Sequence, residues 1–467
     1  MIDPKRTELT DEEGRELIRY SCFWSLMLLI SVPIVCFMSG EPVSALPADL
    51  CRILLSPSKL VTDYFELGGC GSAFLNAALC GFACNAVMLL VKAKPSATLL
   101  AGYFLVIAHC FYGLNFLNMW IPFLSIPVYC AVMKKPYREH LHLSFFCTSL
   151  GPFISDFLFR YTLGSAFDQN HPHFSFAGLA IALAFGLLAG FIVPALLPGT
   201  TRMHRGFNLY KAGLAIGLFG MFAFAFFYKT LGIEVPDLLI RMNDIYENNH
   251  RSYYEIANLF FGFVFLVTFL MGFEKNGRTM DGYSAVLKTD GLQDDFTLKF
   301  GLPLTYMNIG LYGTFVLLYF NVIITLGDGV GFTGPTVGVT IAAITFAANG
   351  QHIRNVWPIM LGYMILIGGI ALICSLTGLP IPVALSHQGY INGLAFATGL
   401  CPFTGRYGIR CGVLAGMLSA VLCTSTSAMH GGFVLYNGGL TAGLTALLLL
   451  PILEFYHIPQ RPFSERE

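Results

Sequence analysis

The chain has 467 residues, of which 55% are hydrophobic and 12% are charged, and its mean hydropathy is +0.67. Soluble domains are about 25% charged, so this composition lacks the polar surface that a water-exposed fold needs. The 27 basic and 27 acidic residues balance, which leaves no excess positive charge for a nucleic-acid partner. We therefore expect the lipid bilayer to be the environment of this protein.

The N-terminus carries Lys5, Arg6, Arg15 and Arg19 ahead of an apolar run over residues 22–38. A signal peptide is one interpretation of this pattern. The apolar run is longer than the core of a signal peptide and lacks a small-residue cleavage site, so we expect a retained signal anchor. Its N-terminus would lie in the cytoplasm.

Hydropathy predicts an all-α polytopic membrane protein. A spanning helix needs about 20 mostly apolar residues, and a window of that length finds about 14 transmembrane helices, within a range of about 12–14. Two of them contain helix breakers, Gly151-Pro152 and Pro402, and are candidates for broken or re-entrant helices. The predicted spans are 22–39, 71–92, 96–116, 118–134, 142–160, 175–198, 206–229, 253–273, 302–325, 332–351, 356–376, 382–403, 411–427 and 431–454.

The sequence contains an internal repeat. Its strongest element is the pattern His-x-Gly-Phe-x-Leu-Tyr-x-x-Gly-Leu-x-x-Gly-Leu, which occurs at 204–218 and again at 430–444. This self-similarity indicates a duplicated membrane unit whose functional centre lies where the copies meet. The Gly series of the pattern is expected to permit close helix contact. Three further matches follow the same order: Asn76 with Asn308, Gly113 to Pro122 with Gly350 to Pro358, and Thr148 to Phe153 with Thr398 to Phe403.

The repeat divides the chain into two homologous halves with additional segments before, between and after them. The predicted domains are an N-terminus with the first transmembrane helix and an external segment (1–65), the first membrane repeat (66–230), a linker with one transmembrane helix and a cytoplasmic loop (231–299), the second membrane repeat (300–456), and a cytoplasmic tail (457–467).

The charge distribution indicates that the two halves form an inverted repeat. With a cytoplasmic N-terminus, the basic loops of the first half fall inside, as the positive-inside rule requires. The equivalent loops of the second half carry no Lys or Arg, and its basic residues lie at the opposite ends of the spans. Both termini are then cytoplasmic, although the loops with Arg52, Lys59 and 229–251 do not fit the rule. The residues concerned are Lys92, Lys94, Lys134, Lys135, Arg138, Arg202 and Arg205 in the first half, and Arg354, Arg406 and Arg410 in the second.

The paired segments that begin at His204 and His430, together with the tandem arrangement of the chain, resemble an uncharacterised family of bacterial multi-pass membrane proteins with a duplicated domain of unknown function. This resemblance implies a bacterial inner (plasma) membrane protein and gives no substrate. The two-half organisation, with a Pro-containing segment midway in each half, also looks like the architecture of urea transporters. The extra span between the halves departs from that second pattern.

The candidate pathway residues are polar or helix-breaking and mostly occur in repeat pairs. Transporters with inverted repeats bind solute near the bilayer midplane, at interrupted helices. Structural alternatives exist for each type: a Pro can simply kink a helix, a Thr can bond to its own backbone, and Asn, His and Tyr can join or anchor helices. The residues that we predict to line the pathway are Asn76, Thr148, Pro152, Asn208, Tyr210, Asn308, His387, Asn392, Thr398, Pro402, Tyr436 and Asn437.

Four ionisable residues are candidates for coupling transport to an ion gradient. Ionisable residues inside spans are costly and usually functional. Asp156 and Lys211 form a candidate ion pair, and Asp156 is also a candidate proton site; snorkelling of Lys211 is the structural alternative. His204 and His430 are candidates for proton relay, with helix anchoring as the alternative.

The function that fits best is a permease for a small polar solute that is neutral or zwitterionic. A proton- or sodium-coupled carrier and a passive urea-like channel are both compatible with the pattern. Enzyme and nucleotide-binding motifs are missing, so we expect no enzyme and no cofactor. A membrane scaffold remains an alternative, and Gly-rich helix faces also suit a homo-oligomer. An intramembrane enzyme would have to use Glu139, His140, His142, His171 and His173.

Overall fold

The computed structural model describes residues 6–56, 58–160, 173–236, 245–292, 294–326, 331–382 and 384–463. The regular secondary structure of these ranges is entirely helical, and a helix satisfies its own backbone polar groups, as an apolar surrounding requires. The α-helices are α1 (Asp11–Ser39), α2 (Leu46–Leu54), α3 (Tyr64–Leu90), α4 (Ala97–His109), α5 (Trp120–Val132), α6 (Tyr137–Cys147), α7 (Gly151–Arg160), α8 (Phe176–Met203), α9 (Lys211–Phe224), α10 (Ile245–Lys275), α11 (Tyr283–Leu287), α12 (Phe296–Lys299), α13 (Gly301–Leu326), α14 (Gly334–Ala343), α15 (Ile353–Thr377), α16 (Gln388–Ala397), α17 (Cys401–Tyr407), α18 (Ile409–Cys423), α19 (Thr426–Met429) and α20 (Asn437–Phe455).

Nine helical segments of the described chain are long and apolar enough to cross a membrane. They are α1, α3, the continuous α6–α7 segment, α8, α9 with the turn that follows it, most of α10, α13, α15 and α20. Large apolar side chains point outward from them, since Phe37 is 87% exposed and Phe176 is 83% exposed. Such surfaces are stable in lipid and unfavourable in water. The protein is therefore an all-helical, multi-pass membrane protein.

Five of the predicted spans are not single long helices. The apolar helices α4, α5, α14 and α18 have 10–17 residues, and the predicted span 382–403 is divided between α16 and α17. The predictions of helix over 96–116 and 332–351 extend too far, since α4 ends at His109 and α14 ends at Ala343. The turns that follow contain Gly113 (φ +154°) and Gly350 (φ +117°), whose conformations favour glycine. As a result, α4 and α14 each end inside the protein.

The Pro-containing segments are tightened rather than unwound. A single 3-10 turn, Thr148–Leu150, joins α6 to α7, and Thr398–Leu400 does the same between α16 and α17. Pro152 and Pro402 lie in the first turn of the helix that follows, where no backbone N–H is needed. The predicted interruptions therefore exist at equivalent positions, but they are turns within continuous helical segments.

Each half repeats the same helix neighbours. α1 packs along α3 as α10 packs along α13, and α5 packs on α8 as α15 packs on α18. The helix predicted as a linker at 253–273 therefore has the same place in the second half as α1 has in the first. Contacts between the halves include α4 with α14, α9 with α20, α1 with α10 and α3 with α14.

Glycines of the repeated pattern form the crossing of α9 and α20. A Cβ atom on Gly213 would lie 2.5 Å from the Cα of Gly439, and one on Gly443 would lie 2.9 Å from the Cβ of Leu214. These separations are shorter than carbon atoms tolerate. The backbones of the two helices therefore approach closely because these positions have no side chain.

We predict that Gly213→Ala lowers the melting temperature of the purified protein, because overpacking at this crossing costs about 1–3 kcal/mol. Gly262→Ala in α10 is the matched control, since nothing lies within 4 Å of an added Cβ there. Thermal unfolding in detergent measures both variants. Equal melting temperatures for the two would contradict the close crossing.

Candidate functional site

A cavity of about 380 Å³ lies where α3, α14, α16 and α20 begin. We call it the His387 cavity. The predicted pathway residues His387, Asn392 and Asn437 line it, and so do two carboxylates that the prediction did not include, Asp63 and Glu66. The wall of the cavity also includes Tyr112, Pro335, Phe396, Ser427 and Leu435.

A second cavity of about 370 Å³ lies where α4, α6 and α9 begin, and we call it the Lys211 cavity. The repeat alignment relates its residues to those of the His387 cavity one by one. The equivalent pairs are Thr98 with Pro335, His142 with Asn392, Phe146 with Phe396, Thr201 with Ser427, Leu209 with Leu435, Lys211 with Asn437, Asp295 with Asp63, and Asn349 with Tyr112. The two halves therefore build the same cavity twice.

The helices α4 and α14 run antiparallel to each other. A Cβ on Gly334 would lie 2.9 Å from the carbonyl oxygen of Phe111, whereas one on Gly338, further along α14, would lie 2.4 Å from that of Ala108. The chain of α14 thus advances as the chain of α4 recedes. Because α14 begins at the His387 cavity and α4 begins at the Lys211 cavity, the two cavities lie at opposite ends of this helix pair.

A cluster of six aromatic side chains separates the two cavities. Tyr210 and Tyr436, both fully buried, are in its centre with their ring centroids 6.0 Å apart. Tyr210 also packs against Phe346 and Phe396 at 4.7 and 5.1 Å. These two Tyr of the repeated pattern are thus brought together between the two cavities. We call the set Tyr112, Phe146, Tyr210, Phe346, Phe396 and Tyr436 the central aromatic cluster; Tyr112 joins the other five rings through the ring of His109.

Reciprocal hydrogen bonds connect each half to the helix break of the other. The N–H of Leu209 donates to the carbonyl of Gly399, and the N–H of Leu435 donates to that of Ser149, both at 3.0 Å. The pathway candidate Asn208 adds a bond from its Nδ2 to the carbonyl of Gly439 at 3.1 Å. Each 3-10 turn, 148–150 and 398–400, therefore accepts a backbone hydrogen bond from the opposite half.

The pathway candidates Asn76 and Asn308 hold the buried loops that follow α4 and α14. Asn76 Nδ2 donates to the carbonyls of Cys110 and Leu114, both at 2.9 Å. Asn308 Nδ2 donates in the same way to two carbonyls of the second loop, at 2.8 Å each. Both Nδ2 hydrogens of each amide are thus used within the protein, and neither residue lines a cavity.

The paired threonines bond to their own helices. Thr148 Oγ1 donates to the carbonyl of Phe145, and Thr398 Oγ1 donates to that of Ala395, each at 2.7 Å. Thr398 also accepts a bond of 2.7 Å from Gln351 Nε2, a residue that the sequence analysis did not single out. Thr398 is therefore the more connected member of the pair.

The coupling candidates Asp156 and Lys211 are not brought together. Asp156 on α7 is 1% exposed and accepts a hydrogen bond from Tyr228. Tyr228 follows Lys211 by a helical distance of about 25 Å, and Lys211 lines its own cavity with Asp294 and Asp295. The predicted ion pair is therefore wrong, because the two residues contact opposite ends of the same helical segment.

Both histidines of the repeated pattern are buried and neutral. Burial is the main cause that lowers the pKa of His204 to about 4, and burial likewise lowers that of His430 to about 4. The Nδ1 atom of each accepts a local backbone N–H, from Gly206 at 3.2 Å and from Val434 at 3.3 Å. These bonds shape the turns that precede α9 and α20.

The carboxylates in the cavities are the residues that sequence reasoning missed. Asp63 Oδ1 accepts N–H groups from Phe65 at 2.9 Å and Gly334 at 3.1 Å, so it joins the starts of α3 and α14. Burial raises the pKa of Asp63 to about 7 and also raises that of its equivalent, Asp295. The sequence contains a sign of this pair, because extending the Asn76–Asn308 alignment backward places Asp63 opposite Asp295.

Among the described residues, no group of three His, Cys, Asp or Glu is placed to hold a metal ion. Of the residues considered for an enzyme, His142 lines the Lys211 cavity, and His171 lies outside the described residues.

These features define a membrane protein made of two equivalent halves. The chain belongs to the family described as "Protein of unknown function (DUF1576)", whose model matches twice, over residues 44–229 and 275–455. The two matches confirm the tandem duplication and the family resemblance. No curated protein and no solved structure matches the chain.

We predict that the thermal stability of the protein falls as the pH rises from about 4 to about 7. The pKa of Asp63 is about 7 in the folded protein against an ordinary 3.8, so folding favours the protonated acid and this stabilisation is lost as the pH rises through the folded pKa. Asp63→Asn keeps the helix-capping oxygen and should flatten the dependence. The exposed Asp281→Asn is the control, and an unchanged slope in Asp63→Asn would contradict the assignment.

We also predict that Asn76→Ala destabilises the protein, because each buried carbonyl that loses its donor costs about 1–3 kcal/mol. Asn276→Ala provides a matched comparison. Asn276 Nδ2 also donates to two carbonyls, of Thr279 at 2.8 Å and Asp281 at 3.1 Å, but in an exposed loop where water replaces it. Melting temperatures in detergent should fall for Asn76→Ala only. A similar fall for both would refute a buried clamp.

Proposed function

We propose that this protein is an inner-membrane permease, which moves a small polar solute, neutral or zwitterionic, through a central site between two inverted halves. The observation that carries this proposal is the pair of equivalent cavities, about 380 and 370 Å³ in volume. They lie at opposite ends of the antiparallel α4–α14 pair, with the central aromatic cluster between them. Cavities of this size suit small molecules, and equivalent sites facing opposite sides suit alternating access.

The antiparallel packing of α4 and α14 supports an inverted arrangement of the halves in the membrane. The reciprocal bonds of Leu209 and Leu435 support it too, because equivalent atoms exchange equivalent contacts. These contacts are what a two-fold axis in the membrane plane would produce. The two halves consist of the nine long helices of the described chain and the shorter apolar helices between them.

We propose that the Lys211 cavity faces the cytoplasm of a bacterial cell. Ion pairs of 2.7 Å, between Lys94 and Glu8 and between Lys275 and Glu16, tie the N-terminal segment to the ends of α4 and α10. An ion pair between Arg205 and Glu454 joins the end of α20 to the loop after α8. Lys94 and Arg205 shortly precede α4 and α9, whose first turns line the Lys211 cavity, and basic residues are enriched on the cytoplasmic side of a membrane protein.

A carrier fits the site better than an open channel. The central aromatic cluster is fully packed between the cavities, so solute can cross only if this contact rearranges. Proton coupling through Asp63 is our preferred energy source, because this buried acid lines the His387 cavity and is replaced by an acid, Asp295, in the Lys211 cavity. The proposal involves no covalent chemistry.

The sidedness of the two cavities gives the first test of this proposal. Ser427 and Thr201 are equivalent residues that line the His387 cavity and the Lys211 cavity, respectively. In a cysteine-free background, a membrane-impermeant thiol reagent should label Ser427→Cys from outside the cell. It should label Thr201→Cys only in inverted vesicles. Labelling of both from one side would overturn the inverted arrangement.

Transport itself is tested by uptake of labelled amides, amino acids, nucleobases and carboxylates into proteoliposomes, with and without a proton or sodium gradient. We expect gradient-dependent accumulation of at least one solute, and its loss in Asp63→Asn. Asp156→Asn serves as the comparison, because that carboxylate lies outside both cavities. Rapid equilibration without a gradient would indicate a channel, and the absence of any flux would contradict the permease.

A further inference from the structure

The two central tyrosines occupy equivalent positions but differ in their hydrogen bonds. Tyr210 Oη donates to the carbonyl of Ala342 at 2.7 Å and lies 3.4 Å from Thr398 Oγ1. Tyr436 Oη is fully buried and has no hydrogen-bond partner among the described residues. An unpaired hydroxyl in such a place is costly. The backbone arrangement is thus repeated, but of the two tyrosines only Tyr210 has a hydrogen-bond partner for its hydroxyl among the described residues.

Two further side chains beside Tyr436 share this lack of partners. Both ring nitrogens of His109, at the end of α4, are buried and have no hydrogen-bond partner in the described chain. The buried hydroxyl of Tyr112 also has none. The ring of His109 lies 5.5 Å from that of Tyr112 and 6.1 Å from that of Tyr436. Each side chain is at most 1% exposed. Unpaired polar atoms are therefore concentrated at one point, where Tyr112 forms part of the wall of the His387 cavity.

The equivalent point of the Lys211 cavity has a related feature. Asn349, the counterpart of Tyr112, lines that cavity, and its buried Oδ1 has no partner among the described residues. An unpaired polar group thus occurs at the same position in both cavities. A structural requirement of one half would not explain this recurrence, whereas a ligand that meets both positions would.

We infer that His109, Tyr112 and Tyr436 form the solute-binding site, and that its ligand is a small neutral molecule which both donates and accepts hydrogen bonds, such as a primary amide. The inference rests on the proposed transport function. A neutral imidazole offers one donor and one acceptor, and a phenol offers either. The three side chains carry no fixed charge, so a charged or zwitterionic ligand would lose its hydration at this point without gaining a counter-ion.

The test measures binding by thermal stabilisation of the purified full-length protein in detergent. The probes are acetamide and nicotinamide, with acetate, nicotinate and glycine as charged or zwitterionic counterparts. We expect the amides alone to raise the melting temperature. Tyr436→Phe and Tyr112→Phe should weaken the apparent affinity roughly three- to tenfold, the equivalent of one neutral hydrogen bond. The basal melting temperature should stay level or rise, because each variant removes an unpaired hydroxyl.

Matched variants separate binding from structure. Tyr210→Phe removes a hydroxyl that is already bonded, so its basal melting temperature should fall. Tyr20→Phe loses a bond of 3.1 Å to Thr268 on the distant α1–α10 contact and should keep the full response to amides. Unchanged amide binding in Tyr436→Phe and Tyr112→Phe, equal stabilisation by acids and amides, or no stabilisation by any probe would overturn the inference.

Flux measurements with the same amides distinguish this inference from the proposed function. Amide binding that depends on Tyr436 without any flux would support the site and contradict the permease. Amide flux that is equal in wild type and Tyr436→Phe would support the permease and contradict the site. The absence of both binding and flux would contradict both.

Discussion

The fold depends on satisfying backbone polar groups where helices stop inside an apolar protein. The loops after α4 and α14 are not helical, so their carbonyls need donors from elsewhere in the chain. Asn76 and Asn308 supply those donors from the long helices α3 and α13. Without such a clamp the short helices could not end at the centre, and there would be neither two cavities nor an aromatic cluster between them.

Composition and repetition made the class of fold and the duplication predictable. Hydropathy located every long helix of the described chain, because apolar runs of that length have few alternatives. It failed where a helix ends early, since a hydropathy window averages over a single residue such as Gly113 or Gly350 and ignores its backbone conformation. The sequence analysis also missed that α10 is the counterpart of α1. The two helices occupy equivalent positions in the structure, but their sequences show little similarity.

The candidate site was predicted in outline. Repeat pairing selected Tyr210, Tyr436 and Asn437, and the structure places them at or beside the two cavities. It also selected Asn76 and Asn308, which share the pairing for a structural reason, and a sequence does not separate the two causes. His109 and Tyr112 were not selected as pathway residues, because they have no like residues in the second half. Their isolation emerges only from contacts between elements that are distant in the chain.

The reciprocal bonds from Leu209 to Gly399 and from Leu435 to Ser149 make each half dependent on the other. Each half has a backbone carbonyl at its own helix break, and this carbonyl accepts a hydrogen bond from a backbone N–H of the other half. A single repeat on its own would expose both an unfilled turn and an unused donor. Two copies of one repeat could satisfy both groups by pairing with each other, so the duplicated chain has the hydrogen-bonding pattern of a homodimer made within one polypeptide.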